Sequence, residues 1–133
     1  PFEYMSLSTL EVDRPGNTYT ADTLAELYNL YRKIYFIIGA DSLFHIQDWY
    51  HPEYVCSHCH LLCANRNGQS VTELEKQKHF LEDKYSAKID FIICPDMPYS
   101  STAIRQKVKN HVSVSEDVGI EVEEYITANL LYM

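Results

Sequence analysis

The run Tyr35-Phe36-Ile37-Ile38, closed by Gly39-Ala40-Asp41-Ser42, constrains the fold more than any other stretch of the chain. A short unbroken apolar run is how a strand buried on both faces of a parallel sheet reads, and the glycine and polar residues after it place a turn at its carboxyl end. His60-Leu61-Leu62-Cys63-Ala64 and Ile89-Asp90-Phe91-Ile92-Ile93-Cys94 read as further short strands. Met5 to Val12 alternates roughly and predicts another, ended by the turn cluster Arg14-Pro15-Gly16-Asn17.

Helical patterns separate these stretches. Thr20 is placed to cap a helix running to about Arg32, with Leu24, Leu27, Tyr28 and Tyr31 on one face. Pro52 opens a short helix that ends near Ser57. Ser70-Val71-Thr72-Glu73 has the spacing of a capping box, followed by Val71, Leu74, Leu81 and Tyr85 on one helical face. A helix is predicted over Ser101 to Lys109, and Val118, Val122, Tyr125, Ile126 and Leu130 mark a last one. Strands alternating with helices define an α/β fold with a mainly parallel sheet, and ligands of such sheets bind outside the carboxyl ends of the strands. Those ends carry Gly39-Ala40-Asp41-Ser42, Asn65-Arg66-Asn67-Gly68 and Pro98-Tyr99-Ser100-Ser101-Thr102.

Charge narrows the partners. With 11 Lys and Arg against 19 Asp and Glu the formal net charge is −8, which offers no general field for a polyanion, so nucleic-acid binding is not expected. A small phosphorylated ligand is compatible, because it needs only a few basic groups and backbone N–H donors in one pocket. No run of about 18 apolar residues is present to span a membrane, and no basic-then-apolar leader stands at the start. A cytoplasmic location is expected, with the four cysteines as reduced thiols. The opening PFEYMSL, without an initiator Met, suggests a fragment or a processed piece.

Two stretches carry chemistry that residue types alone leave open. Cys56-Ser57-His58-Cys59-His60 fits the C-x-x-C-H haem-attachment pattern and, with Cys63, a zinc cluster. It straddles a helix end and a strand start, however, and Cys59 and Cys63 there are expected to be small buried hydrophobes. Ser100-Ser101-Thr102-Ala103-Ile104-Arg105 sets hydroxyls and free N–H groups at a helix start, with Arg105 on the same face as Ser101. That suits a phosphate, or simply an N-cap with a surface arginine. Trp49-Tyr50 is able to stack a planar ring, or to fill core.

Taken in order, the segments resemble the bacterial nicotinate-nucleotide adenylyltransferases of the nucleotidyltransferase superfamily, whose fold is dinucleotide-binding-like. Arg14-Pro15-Gly16-Asn17-Thr18-Tyr19-Thr20-Ala21-Asp22-Thr23-Leu24 is similar to that family's RPGxSYTxDTL, Phe36 to Ser42 to its FIIGADS strand, and Trp49-Tyr50 to its WY pair. Ala64-Asn65-Arg66 with Gly68 is similar to its ANRPG, Ser100 to Arg105 to its SSTxIR, and Glu123-Glu124-Tyr125-Ile126 with Leu131-Tyr132 to its closing helix. Asn67, Tyr99 and Asp48 depart from the family's usual Pro, aliphatic and basic residues. Nothing in the chain is similar to the family's GGTFDPxHxGH strand and phosphate-binding turn. The 133 residues are therefore expected to be the later two-thirds of one nucleotidyltransferase domain, without its N-terminal strand.

The resemblance implies transfer of an adenylyl group from ATP to nicotinate mononucleotide in NAD biosynthesis, with Mg²⁺ accompanying ATP. It implies that Trp49 stacks on the nicotinate ring, that Thr20 and the backbone of Tyr50 meet its carboxylate beside Tyr19, and that Asp41 holds a ribose near Gly39. By the same resemblance Ser101, Thr102 and Arg105 hold ATP phosphates, and Arg66 lies near the mononucleotide. No protein metal ligand is implied, and a homo-oligomer is compatible. The alternatives are a related adenylyltransferase acting on nicotinamide mononucleotide or phosphopantetheine, a non-catalytic interaction module, and a thiol-redox or metal domain built on Cys56 and Cys59.

Overall fold

The computed structural model describes residues 3–65, 70–95 and 99–132. The chain forms two compact units, Pro1–Pro95 and Asp96–Met133. The first holds α1 (Thr20–Leu30), β1 (Tyr35–Gly39), α2 (Ala40–His45), a 3-10 turn Ile46–Asp48, α3 (Pro52–His58), β2 (His60–Asn65), α4 (Val71–Tyr85) and β3 (Lys88–Ile93). The strands pair in the order β1-β2-β3, all parallel, with Phe36 opposite Leu61 and Leu61 opposite Ile89. Each crossover contains a helix, as parallel pairing demands.

Alternate residues on a strand point to opposite faces, so the register sorts the sheet. Ile38, Leu61, Cys63 and Ile89 share the buried face, where they join Leu43, Ile46, Val55, Leu74 and Leu81 in one core. A fully buried leucine such as Leu61 contributes about 1.5–3 kcal/mol by leaving water. Tyr35 and Ile37 lie on the other face, where Ile37 remains 65% exposed. The expectation that β1 is buried on both faces is therefore corrected. The first unit's α2, α3 and α4 pack against strands of the sheet, and the apolar run reads as buried only on the side they cover.

Other sequence expectations also give way to local hydrogen bonding. Met5 to Val12 forms no strand: the Thr9 hydroxyl donates to the Asp13 carboxylate at 2.7 Å, the Asp13 N–H donates to the Thr9 carbonyl at 2.9 Å, and Leu7 is 94% exposed. A turn takes up the backbone groups of Thr9 and Asp13 instead of a ladder. Tyr19, not Thr20, occupies the N-cap of α1, which ends at Leu30. Ser70 caps α4 through its backbone, with its carbonyl accepting from the Glu73 N–H at 3.0 Å, and no side-chain cap forms. The turn Arg14 to Asn17 is held to α1 by Arg14, which donates to Thr23 Oγ1 at 3.1 Å and pairs with Glu26. Gly16 sits there at φ +88°, a conformation side chains rarely adopt.

The second unit contains α5 (Ser101–Lys109), α6 (Ser115–Val118) and α7 (Ile120–Ala128) around Val108, Val114 and Ile126. The single last helix expected over Val118 to Leu130 is divided at Gly119, whose φ of +90° and ψ of 154° are not helical. Tyr125 and Leu130 stay exposed.

Candidate functional site

The carboxyl end of β1 runs directly into α2. Gly39 is both the last strand residue and the N-cap, with φ −79° and ψ 161°, and a Cβ built on it meets nothing within 4 Å. Neither its conformation nor crowding by the described residues requires glycine there. Asp41 is exposed in the first turn of α2. At the end of the neighbouring strand, Asn65 Oδ1 is buried with no hydrogen-bond partner among the described residues. A buried acceptor left unpaired costs about 1–3 kcal/mol, so it marks a place for a donor. Sequence reasoning passed over Asn65 because the motif pointed to Arg66, which lies outside the described residues. The signal was the position of Asn65 at a strand's carboxyl end.

The chain then turns through Ile46–Asp48 to Trp49 and Tyr50. Tyr19, Thr20, Asp48, Trp49 and Tyr50 line a pocket of about 220 Å³. Its size is below the roughly 300 Å³ at which drug-sized pockets begin, and suits a single substituted ring. Tyr19 and Tyr50 face each other with ring centroids 4.4 Å apart. Trp49 is half-buried, edge-on to Phe36 at 6.2 Å, so it joins the core while also lining the pocket. The Thr20 hydroxyl has no hydrogen-bond partner among the described residues, and as the first helical residue it sets a donor and acceptor in the wall. His51, one residue after Tyr50, has left-handed backbone, φ 49°, and is the N-cap from which Pro52 starts α3. The N–H of Glu53, then His51 at 3.1 Å, hold the Glu53 carboxyl below its ordinary range. The five pocket residues come from the ends of two elements, α1 and the 3-10 turn.

In the second unit, the Ser100 hydroxyl accepts from the Ala103 N–H at 3.4 Å and is the N-cap of α5. The capping role expected of this segment thus falls to Ser100 alone. Ser101 and Thr102 stand exposed in the first turn, with hydroxyls unpaired among the described residues. Arg105, one turn on, places its guanidinium 5.3 Å from the Tyr132 ring. Hydroxyls, free N–H groups and a cation on one helix start suit a phosphate.

The residues of Cys56-Ser57-His58-Cys59-His60 diverge. Cys56, Cys59 and Cys63 enter the core, and Cys59 Sγ donates to the Val55 carbonyl at 3.1 Å. His58 stacks on Tyr54, with centroids 3.8 Å apart, and His60 pairs with Asp90 at 2.9 Å from the opposite face of the sheet to Cys63. Burial, and secondarily Glu53, pushes the Cys56 thiol up to about 11; burial, then Cys56, pushes Cys59 up to about 12. Burial also raises Cys63. Metal ligation and disulfide exchange need the thiolate, which these surroundings disfavour. A larger groove of about 640 Å³, lined by Ala21, Tyr54, His58, Lys84 and Tyr85 among others, includes none of the predicted site residues.

A parallel α/β sheet with a ring-sized pocket places the chain among open α/β proteins, whose ligands bind outside the carboxyl ends of the strands. Residues 4–107 match the family model for cytidylyltransferase-like proteins, and the chain belongs to that family. It is 37% identical over 132 residues to a probable nicotinate-nucleotide adenylyltransferase of Lachnoclostridium phytofermentans, covering 98% of this chain and 66% of that protein. It is 36% identical to another from Carboxydothermus hydrogenoformans, covering 96% and 64%. The chain thus spans about two thirds of the length of the curated relatives it matches, and the resemblance seen in its motifs is borne out by their names. A Plasmodium falciparum nicotinic acid mononucleotide adenylyltransferase shares the fold, with a TM-score of 0.67 at 19% identity over 89% of this chain and 60% of that one.

Proposed function

We propose that the protein carrying these residues transfers an adenylyl group from ATP to nicotinate mononucleotide. The products are nicotinate adenine dinucleotide and pyrophosphate, a step of NAD biosynthesis. The observation that carries this reading is the small pocket in which the Thr20 hydroxyl, unpaired among the described residues, stands beside Tyr19, Trp49 and Tyr50. Trp49 stacks on the nicotinate ring, and Thr20 and the Tyr50 backbone N–H bind its carboxylate. Asp41 accepts from a ribose hydroxyl that approaches over Gly39. Arg66 serves the mononucleotide side, while Ser101, Thr102 and Arg105 hold ATP phosphates. Both units then belong to one nucleotidyltransferase domain.

The mononucleotide phosphate oxygen attacks the α-phosphorus of ATP in line, the new P–O bond forms, and pyrophosphate leaves with the electrons of the bond that breaks. No protein nucleophile is needed. Catalysis is positioning and charge stabilisation, to which Arg105 and the first-turn N–H groups of α5 contribute. Among the described residues no three His, Cys, Asp or Glu side chains converge. Mg²⁺ accompanying ATP would neutralise charge on the transferring group. We place the protein in the cytoplasm, where its four free thiols stay reduced; self-association is compatible with this reading.

The test is pyrophosphate release from ATP and nicotinate mononucleotide, run on the full reading frame and on residues 1–133 alone. Turnover by the full protein is expected, and its absence would overturn the assignment. The family resemblance implies a glycine-rich, histidine-bearing phosphate turn that residues 1–133 do not contain. Those residues alone should therefore be slower by several orders of magnitude. Equal rates would show that the phosphate site is complete without such a turn.

A further inference from the structure

Asp48 is the one charged side chain among the five residues lining the ring-sized pocket. Its carboxylate is 78% exposed, and its one ion pair among the described residues is with His45 Nδ1 at 3.4 Å. Three aromatic rings, Tyr19, Trp49 and Tyr50, complete the wall with the neutral Thr20. Aromatic faces and a carboxylate together attract a cation, because both the ring quadrupole and the charge favour it. The base of a pyridine mononucleotide is such a cation: its ring nitrogen, bonded to ribose, carries a positive charge.

We infer that Asp48 is a specificity-determining residue that draws in the pyridinium ring and narrows the pocket's preference for a ring acid over the corresponding ring amide. The inference rests on the proposed reading of this pocket. Both substrates carry the ring cation, but only the acid adds a carboxylate. A negative wall therefore repels part of the acid that the amide lacks, and the amide's N–H groups can donate to Asp48. Thr20 supports the acid through its hydroxyl donor, so the two residues pull the selectivity in opposite directions. Because Asp48 is largely in water, screening limits its effect to a small factor.

The experiment compares Asp48→Asn and Asp48→Lys with the wild type in the full-length protein. kcat/KM is measured for nicotinate mononucleotide and for nicotinamide mononucleotide at saturating ATP, with calorimetric binding of each alone. Removing the charge should raise the acid-to-amide ratio about threefold by ending a Coulomb repulsion, and reversing it about tenfold by adding an attraction, across several ångströms of hydrated pocket. The same order should hold in the binding constants. A ratio that stays constant or falls across the series overturns the role of Asp48 while leaving the adenylyl-transfer reading intact. A wild type that turns over neither mononucleotide overturns both.

Discussion

Replacing Gly39 by alanine separates what the protein needs from what a ligand needs. In the folded chain the backbone φ of −79° is open to any residue, and the added methyl would meet nothing within 4 Å among the described residues. Alanine for glycine at such a site stabilises by about 0.4–1 kcal/mol, because the unfolded chain loses freedom. Gly39 is also the N-cap of α2, where alanine is a poorer choice by roughly 0.5–1 kcal/mol. The two nearly cancel, so the urea midpoint should move by less than the equivalent of about 0.5 kcal/mol. On the proposed reading the methyl would project into the space above the strand end that the ribose approaches. Crowding a filled space with a methyl costs about 1–3 kcal/mol. That converts to a fall in kcat/KM of roughly 5- to 150-fold. Urea denaturation and pyrophosphate release on the same preparation give both numbers. A large loss of stability would refute the open space at Gly39, and unchanged kcat/KM with unchanged stability would refute ligand approach there.

Trp49→Ala should weaken nicotinate mononucleotide binding by about 1–3 kcal/mol with ATP binding nearly unchanged; equal weakening in calorimetry would reduce Trp49 to its packing on Phe36. Arg105→Lys keeps the charge but loses the planar fork, so turnover should fall while the melting temperature holds, and full turnover would return Arg105 to a surface role beside Tyr132. The thiols of Cys56 and Cys59 ionise near 9 when unfolded but near 11 and 12 when folded, so the folded state retains protons that the unfolded state loses. Stability from this source is complete below about pH 9 and declines as pH rises from there toward 11 and beyond. The melting temperature should therefore drop more steeply between pH 8.5 and about 10.5 in the wild type than in Cys59→Ala, and parallel curves would contradict the burial argument.

Period and punctuation were enough to locate β1, β2, β3, α3 and α5 within a residue or two, because apolar runs and helix-start residues act locally. The parallel pairing followed too, since strands separated by helices have few other ways to bury their faces. The motifs also placed Tyr19, Thr20, Trp49 and Tyr50 in one functional group, and four of the five pocket residues are these. What escaped the sequence depends on neighbours. The alternation of Met5 to Val12 is indistinguishable from a strand until the turn between Thr9 and Asp13 is seen, and the apolar run of β1 does not say which face a helix will cover. Cys56-Ser57-His58-Cys59-His60 has ligand spacing along the chain, yet the helix end and the strand pleat send its side chains in different directions. Asp48 departs from the family's usual residue and Asn65 stands inside the Ala64-Asn65-Arg66 motif, yet their roles come from packing: a 3-10 turn brings the charge of one beside three rings, and a strand end buries the oxygen of the other. Spacing fixes which residues are near in the chain, and only packing fixes which are near in space and what solvent is left between them.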